Sequence, residues 1–380
     1  MQDSKEENFM RQDFIPFDLE RQMSIWEHQV DYNISESGVH PLTLQELLGD
    51  PQKVDELLNT SLTYPQTNGS IQLRERIATL YLGATKDQVL VTTGAAQANF
   101  TTLLTLMDPG DQIAVMLPNY MQIWGIAKNY GLDVRNFFLS EELNWILDSE
   151  SLLKAVTDKT RLIAVCNPNN PTGHILTAKE RDQIINAADQ VGAWILADEV
   201  YAGAERLTDD FTPSFWGQYD KVLAIGSMSK AYGLPGLRIG WVIAPGELAE
   251  EIWARQDYIT ITATRLANTL AAHALSPDVR PRLLARTREH VRKGYARFEA
   301  WMKENNSIFS FIPPEAGAIA FVRYHREVNS SQLVQRLIHE QSVYLVPGDH
   351  FGLDHHLRIS YGLPQEILDE ALRRLILVLD

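Results

Sequence analysis

Short apolar runs and helix-spaced segments alternate through the middle of the chain. The runs "QVLVTT", "QIAVML", "RLIAVC", "AWILA", "KVLAIG" and "LRIGWVIA" are rich in valine and isoleucine and of strand length. Their continuous apolarity suits strands covered on both faces. Between the first four lie "AAQANFTTLLTLM", "YMQIWGIAKNYG" and "TAKERDQIINAADQ", which read as helices. That order predicts an α/β fold with a mostly parallel sheet and helices on both faces. Upstream, "SIQLRERIATLYL" has helical spacing, with Ile71, Arg74, Ile77, Leu80 and Tyr81 placing apolar groups mainly on one side. The chain from about 246 to 304 reads as helical, and the tail, with "AIAFVRYH", "VYLVPG", "HLRISYG" and a last helix, reads as a smaller α+β unit. The predicted division is an N-terminal segment, 1–45, packing with the small domain, then a large domain, 46–275, and a small C-terminal domain, 276–380; residues 1–13 are polar and are expected to dock loosely.

Composition narrows the function. With 380 residues and 45% apolar content the chain can bury a large core. A net charge of −15, scattered rather than run together, argues against a nucleic-acid partner. The single cysteine, Cys166, excludes an intrachain disulfide and reads as a small apolar residue inside "LIAVC". No apolar run follows a basic segment at the start, and nothing approaches a membrane span. A cytoplasmic protein without a membrane partner is expected.

Chemistry gathers at the ends of the runs. In open α/β sheets ligands bind beyond the carboxyl ends of the strands. After "VLVTT" comes Gly94-Ala95-Ala96; after "IAVML", Pro118-Asn119-Tyr120; after "LIAVC", "NPNNPTG"; after "AWILA", Asp198-Glu199-Val200-Tyr201; after "KVLAIG", Ser227-Met228-Ser229-Lys230. Singly, each has a plainer role: Gly94 a tight turn, Tyr120 packing, Asn170 an Asx turn before Pro171, Asp198 a helix cap, Lys230 a solvated charge. Together they suit one ligand, a planar, phosphorylated aromatic aldehyde. A helix start at Ala95 and Ala96 offers free N–H groups to a phosphate, with Ser227, Ser229 and Arg238 as further donors. Asp198 would face a ring nitrogen, the Tyr120 ring would stack, and Lys230 would supply the amine of a Schiff base.

The motifs "NPNNPTG", "ADEVY" and "SMSKAYGLPGLRIG", supported by "YPQTNGSIQLRERIA", "PPEAGAIAFV", "VPGDHFG" and "LRIS", resemble those of the class I/II aminotransferases, enzymes of pyridoxal 5'-phosphate (PLP) fold type I. The resemblance implies a PLP enzyme that moves an amino group between an L-amino acid and a 2-oxo acid. It implies Lys230 as the Schiff-base and proton-shuttling lysine, Asp198 as the partner of the pyridinium nitrogen, and Asn170 and Tyr201 as ligands of the ring oxygen. It further implies Ser227, Ser229, Arg238 and the Gly94-Ala95-Ala96 turn at the phosphate, Tyr120 stacked on the ring, and Arg358 on the substrate α-carboxylate, with Asn170 and Gly38 nearby. Tyr64 resembles a tyrosine that reaches the phosphate of a neighbouring subunit, which implies a homodimer with shared sites. The phosphate turn departs from many relatives in offering no hydroxyl.

The segment "ISESGVHPLTLQELL", with "SKAYGLPGLRIGW", resembles capreomycidine synthases, so the alternative is a PLP-dependent lyase or cyclase acting on an arginine-derived amino acid. The Ser-x-x-Lys pattern at 227–230 also occurs in penicillin-binding proteins, but the Ser-Asp-Asn and Lys-Thr-Gly strings that chemistry needs do not occur here. A PLP-binding transcription regulator would need a DNA-binding domain for which the acidic N-terminus has little room. No His-Glu-x-x-His motif points to a metal, and His355-His356 read as solvated turn residues. Trp26, Tyr32, Tyr64, Tyr258 and Arg323 are candidates either for a substrate pocket or for packing.

Overall fold

The computed structural model describes residues 14–379, and the expectation for residues 1–13 lies outside the described residues. After a helix at Asp18–Trp26 comes a two-residue strand, Tyr32–Asn33 (β1). The large sheet has eight strands: Val89–Thr92 (β2), Gln112–Leu117 (β3), Asp133–Ser140 (β4), Ile146–Leu147 (β5), Thr160–Cys166 (β6), Trp194–Asp198 (β7), Val222–Ser227 (β8) and Gly240–Ile243 (β9). Their order is β2-β9-β8-β7-β6-β3-β4-β5. Pairings β8–β7, β7–β6, β6–β3 and β3–β4 are parallel, whereas β9 runs against both of its neighbours and β5 against β4. A four-stranded antiparallel sheet is built from Phe309–Phe311 (β10), Ile319–Tyr324 (β11), Val346–Pro347 (β13) and His356–Ser360 (β14), while Val343–Tyr344 (β12) pairs with β1.

The apolar runs form buried strands because alternate residues feed different cores. In β2, Val89 and Val91 pack with the helices Ile71–Ala78 and Arg265–Ala274, while Leu90 packs with Gly94–Leu106 and Gly246–Gln256 on the other face. In β6, Leu162 and Ala164 share that second core, and Ile163 and Val165 join the largest cluster with Phe321 and Phe137. Period-two alternation with both faces apolar leaves no polar stripe to read. The helix Ala178–Val191 begins with a capping box, Thr177 and Glu180, that satisfies its first amides.

Two local expectations change, and one strand lies where the sequence pattern marks no element. The helix at 71 ends at Ala78, and its buried face is Leu73, Arg74, Ile77 and Ala78, with Ile71 exposed. Arg74 can be buried because its guanidinium donates to the carbonyls of Gly69 (3.1 Å) and Lys86 (2.9 Å). Residues 133–140 form a strand although they carry no apolar run: β4 lies near the sheet edge with Phe138 exposed. His356 is not solvated; it is buried, stacks on Phe321 at 4.8 Å and sets its Nε2 3.2 Å from Glu141.

Candidate active site

Strands β2, β3, β6, β7 and β8 all point the same way, since β2 is reached through two successive antiparallel pairings. Their carboxyl ends therefore share one edge, as the sequence pattern requires. Because β9 is antiparallel, its first residue, Gly240, starts at that same edge, two residues after Arg238. The register sets Gly240 between Ser227 and Thr92, so three strand ends meet side by side.

Along this edge lies a cavity of about 260 Å³. Its walls include Ala95, Ala96, Tyr120, Asn170, Asp198 and Tyr201, and also Ser227, Ser229, Lys230, Arg238 and Arg358. At one end the helix Gly94–Leu106 begins without a side-chain cap at Thr93, so its first amides point outward unclaimed by any cap. Gly94 has φ +80, and a Cβ on it would fall 2.4 Å from Arg238 Nη2; one on Gly240 would fall 2.4 Å from the Ala95 nitrogen. Both glycines let β9 and Arg238 close on the helix start. Arg238 itself is in the left-handed region, φ 51, after the short turn Pro235–Leu237, and Nη1 donates to the Pro235 carbonyl at 3.1 Å.

The middle of the cavity holds a carboxylate and an amine. Burial pushes the Asp198 carboxyl pKa up, although Asn99 Nδ2 donates to Oδ2 at 2.9 Å and the Val200 amide to Oδ1 at 3.3 Å. Burial pushes the Lys230 amine down, with Arg358 and Arg238 acting the same way and Glu36 and Glu20 opposing. Burial raises the Tyr201 phenol far above its usual range, so it remains a donor. At the other end Arg358, fully buried, donates from Nη1 to Asn170 Oδ1 at 3.0 Å and from Nη2 to the Ser35 carbonyl at 2.7 Å. Among the described residues its Nε has no partner, and neither has Asn99 Oδ1. One of these buried polar atoms belongs to the middle of the cavity and the other to its Arg358 end, and each keeps hydrogen-bonding capacity to spare.

Two expected residues are placed differently. Gly38 is outside the lining but against it: a Cβ there would lie 3.5 Å from the Ser229 carbonyl and 3.8 Å from Lys230 Cδ. Tyr64 is on the outer surface, 79% exposed, beside Leu62, Thr264 and Leu266. None of Trp26, Tyr32, Tyr258 and Arg323 lines the cavity; Trp26 packs on His339, Arg374 covers the Tyr32 ring, and Arg323 meets Glu141. The structure adds residues that the sequence reading missed: Asn99, Gln122, Glu20, Glu27, Glu36, Ser37 and Cys166. Asn99 gave no separate signal, because Gln97, Thr101 and Thr102 are buried polar residues on the same helix. Glu20 accepts from the Tyr120 hydroxyl. Burial raises the Cys166 thiol, which points at the Pro168 carbonyl at 3.3 Å. Among the described residues no group of three His, Cys, Asp or Glu could hold a metal, and no helix is long and apolar enough to cross a membrane.

Residues 50–375 match the family model for aminotransferase class I and II. Capreomycidine synthase of Streptomyces vinaceus is 29% identical over 355 residues, covering 90% of this chain and 88% of its own. Histidinol-phosphate aminotransferase 2 of Carboxydothermus hydrogenoformans is 28% identical, covering 80% of each chain. The crystal structure of a PLP-dependent aminotransferase from Streptococcus suis superimposes with a TM-score of 0.90 at 31% identity, over 97% of this chain and 98% of that one.

Proposed function

The chain belongs to the aminotransferase class I and II family, and we propose that it works as a PLP-dependent enzyme moving an amino group from an L-amino acid to a 2-oxo acid. One observation carries this reading: a buried carboxylate, a lysine amine, an uncapped helix start and a buried arginine with a free Nε all face one small cavity. The residues fit the cofactor at each of its polar groups. Bound there, PLP would supply an aldehyde that joins amines reversibly and a pyridinium ring that draws electrons from the substrate α-carbon.

The chain's own groups do the rest. The amides of Ala95 and Ala96, the hydroxyls of Ser227 and Ser229, and the Arg238 fork would hold the phosphate, the helix end favouring its charge. The Tyr120 ring would stack on the cofactor. Asp198, which burial leaves short of a cation, would hold a proton on the ring nitrogen. Asn170 gives its Oδ1 to Arg358, so its amide group remains to donate to the ring oxygen beside the Tyr201 hydroxyl. Arg358 would grip the substrate α-carboxylate with Gly38 close by. Lys230, its amine kept nucleophilic by burial, would hold the cofactor and then move the α-proton. We further propose the division into a 1–45 segment, a large 46–275 cofactor domain and a small 276–380 domain.

The purified protein should be yellow, with a visible absorbance band that borohydride abolishes and that Lys230→Ala lacks. A colourless protein that takes up no PLP would end this reading. A second reading, a lyase or cyclase acting on an arginine-derived amino acid, draws on the capreomycidine synthase relative and on one feature of the cavity. Glu20, Glu27 and Glu36 line it near Lys230 and Arg358, which suits a substrate with a basic side chain. A panel of amino acids mixed with the holoenzyme separates the two: an amino-transfer product with a keto acid supports the first, ammonia or a cyclic product without one supports the second.

A further inference from the structure

His174 follows the "NPNNPTG" turn, touches nothing in the cavity, and is buried between two carboxylates. Its Nδ1 lies 2.9 Å from Glu315 Oε2 and its Nε2 lies 3.0 Å from Glu180 Oε1. A neutral imidazole carries one N–H and could satisfy only one carboxylate; the charged ring satisfies both. The two acids belong to different parts of the molecule. Glu180 caps the helix Ala178–Val191 and accepts from the Leu147 amide of β5 at 2.8 Å. Glu315 comes from the segment that leads into β11, and its Oε2 also accepts from the Ile175 amide at 2.9 Å.

Around this ring the two segments are clamped face to face. The amides of Glu315 and Ala316 both donate to the Gly173 carbonyl, at 2.9 and 3.0 Å. Gly173, at φ +71, leaves no room for a side chain: a Cβ would lie 2.4 Å from Pro314 Cβ and 2.7 Å from the Ala316 oxygen. One limb of the clamp leads to Asn170. The turn closes through Asn169, whose amide donates to the His174 carbonyl at 2.9 Å, and the next residue is the one that receives Arg358. The other limb leads to Tyr201, since a Cβ on Gly317 would sit 3.5 Å from its Cδ1, and the Gly317 amide donates to the Ala204 carbonyl at 2.9 Å.

We infer that His174 is a positioning residue: its charged ring, held by Glu180 and Glu315, sets Asn170 and Tyr201 at the spacing that lets Arg358 take a substrate carboxylate. This inference rests on the proposed aminotransferase reading. Geometry alone would also allow a clamp that serves only the fold, so the test separates the two. His174→Asn keeps an amide donor and removes the charge; Glu315→Gln, at a half-exposed position, is the variant that will fold even if the first does not. Each is compared with the parent, well below its melting temperature and at saturating PLP, for steady-state kinetics. The cofactor-free proteins are compared for amide exchange in peptides covering 169–176 and 314–318.

The expected result is a KM for the amino acid raised about ten-fold with kcat within about three-fold, together with faster exchange in both peptides. The double variant should resemble either single one, because both break one link. Faster exchange with KM unchanged identifies a fold clamp and overturns the positioning role, as does unchanged exchange. A parent that binds no PLP defeats the functional reading and this inference together, whereas a parent with normal kinetics and indifferent variants defeats this inference alone.

Discussion

Asp198 and Asn99 show how a residue's role depends on what burial denies it. The Asp198 carboxylate has an amide on each oxygen and no basic side chain hydrogen-bonded to it, so a pyridinium proton would be the charge that the site lacks. Asp198→Asn should keep cofactor binding and its absorbance band but slow the half-reaction with an amino acid about 100-fold or more, measured by stopped-flow absorbance. A rate near the parent's would show that the carboxylate does not act on the ring. His174 gives a prediction of a different kind. Burial alone would lower its pKa, but hydrogen bonds to Glu180 and Glu315 outweigh that and raise it from 6.5 to about 9. The contribution of the charged ring to stability is then complete below about pH 6.5 and is lost as pH rises through about 9. Glu180, lowered from 4.5 to about 2 despite burial, chiefly by His174, contributes above pH 4.5 and loses its contribution as pH falls towards 2. Urea midpoints measured from pH 6 to 10 should fall across the upper range in the parent and flatten in His174→Asn. Lys230, Asp198, Tyr201, Asn170 and Arg358 were legible because each stands at a strand end or in a spaced motif. Asn99, Ser37 and Glu36 were not, since a helix interior and an N-terminal coil reach the cavity only through tertiary folding.

The strands and helices of the large sheet are where pattern and structure agree most closely, and physics explains the exceptions. A strand covered on both faces must be apolar at nearly every position, so β2, β3, β6, β7, β8 and β9 stand out as runs. A strand near the edge has no such demand, and β4, with Phe138 outside and Asn136 partly covered, carries no apolar run to mark it. The direction of β9 was likewise hidden, because an apolar run looks the same in either orientation. That direction matters, since it returns Arg238 and Gly240 to the ligand edge. Gly240→Ala would force a Cβ to within 2.4 Å of the Ala95 nitrogen and displace the start of the helix Gly94–Leu106. The expected cost is about 1–3 kcal/mol of stability, from thermal melts, with at least about a ten-fold loss of PLP affinity by fluorescence titration. Gly236→Ala, with no atom within 4 Å, is the control that should change neither. Equal behaviour of the two variants would contradict the proposed phosphate cradle.

At the scale of the whole molecule, the surface around Tyr64 is the part that one chain leaves unexplained. Tyr64 and Leu62 are 79% and 81% exposed. Tyr64 and Leu62 share a surface pocket with Thr262 and Leu266, and Arg238 is also open at its end of the cavity. Apolar exposure of this extent suits a buried interface, and a two-fold pair would place the same patch on both copies. In such a pair, as the family resemblance implies, the Tyr64 hydroxyl would complete the phosphate site of the neighbouring chain. Tyr64→Ala and Lys230→Ala would each be weak or inactive alone at limiting PLP, for different reasons. Mixed after reversible dissociation, they form heterodimers in which one site has neither group and the other has both, the lysine from one chain and the tyrosine from its partner. Random assortment makes half of the dimers mixed, each with one of two sites intact, so activity should recover to about a quarter of the parent's. Light scattering must show a dimer under the same conditions. A monomer, or a mixture no more active than the average of its components, would confine every site to a single chain and leave Tyr64 a surface residue.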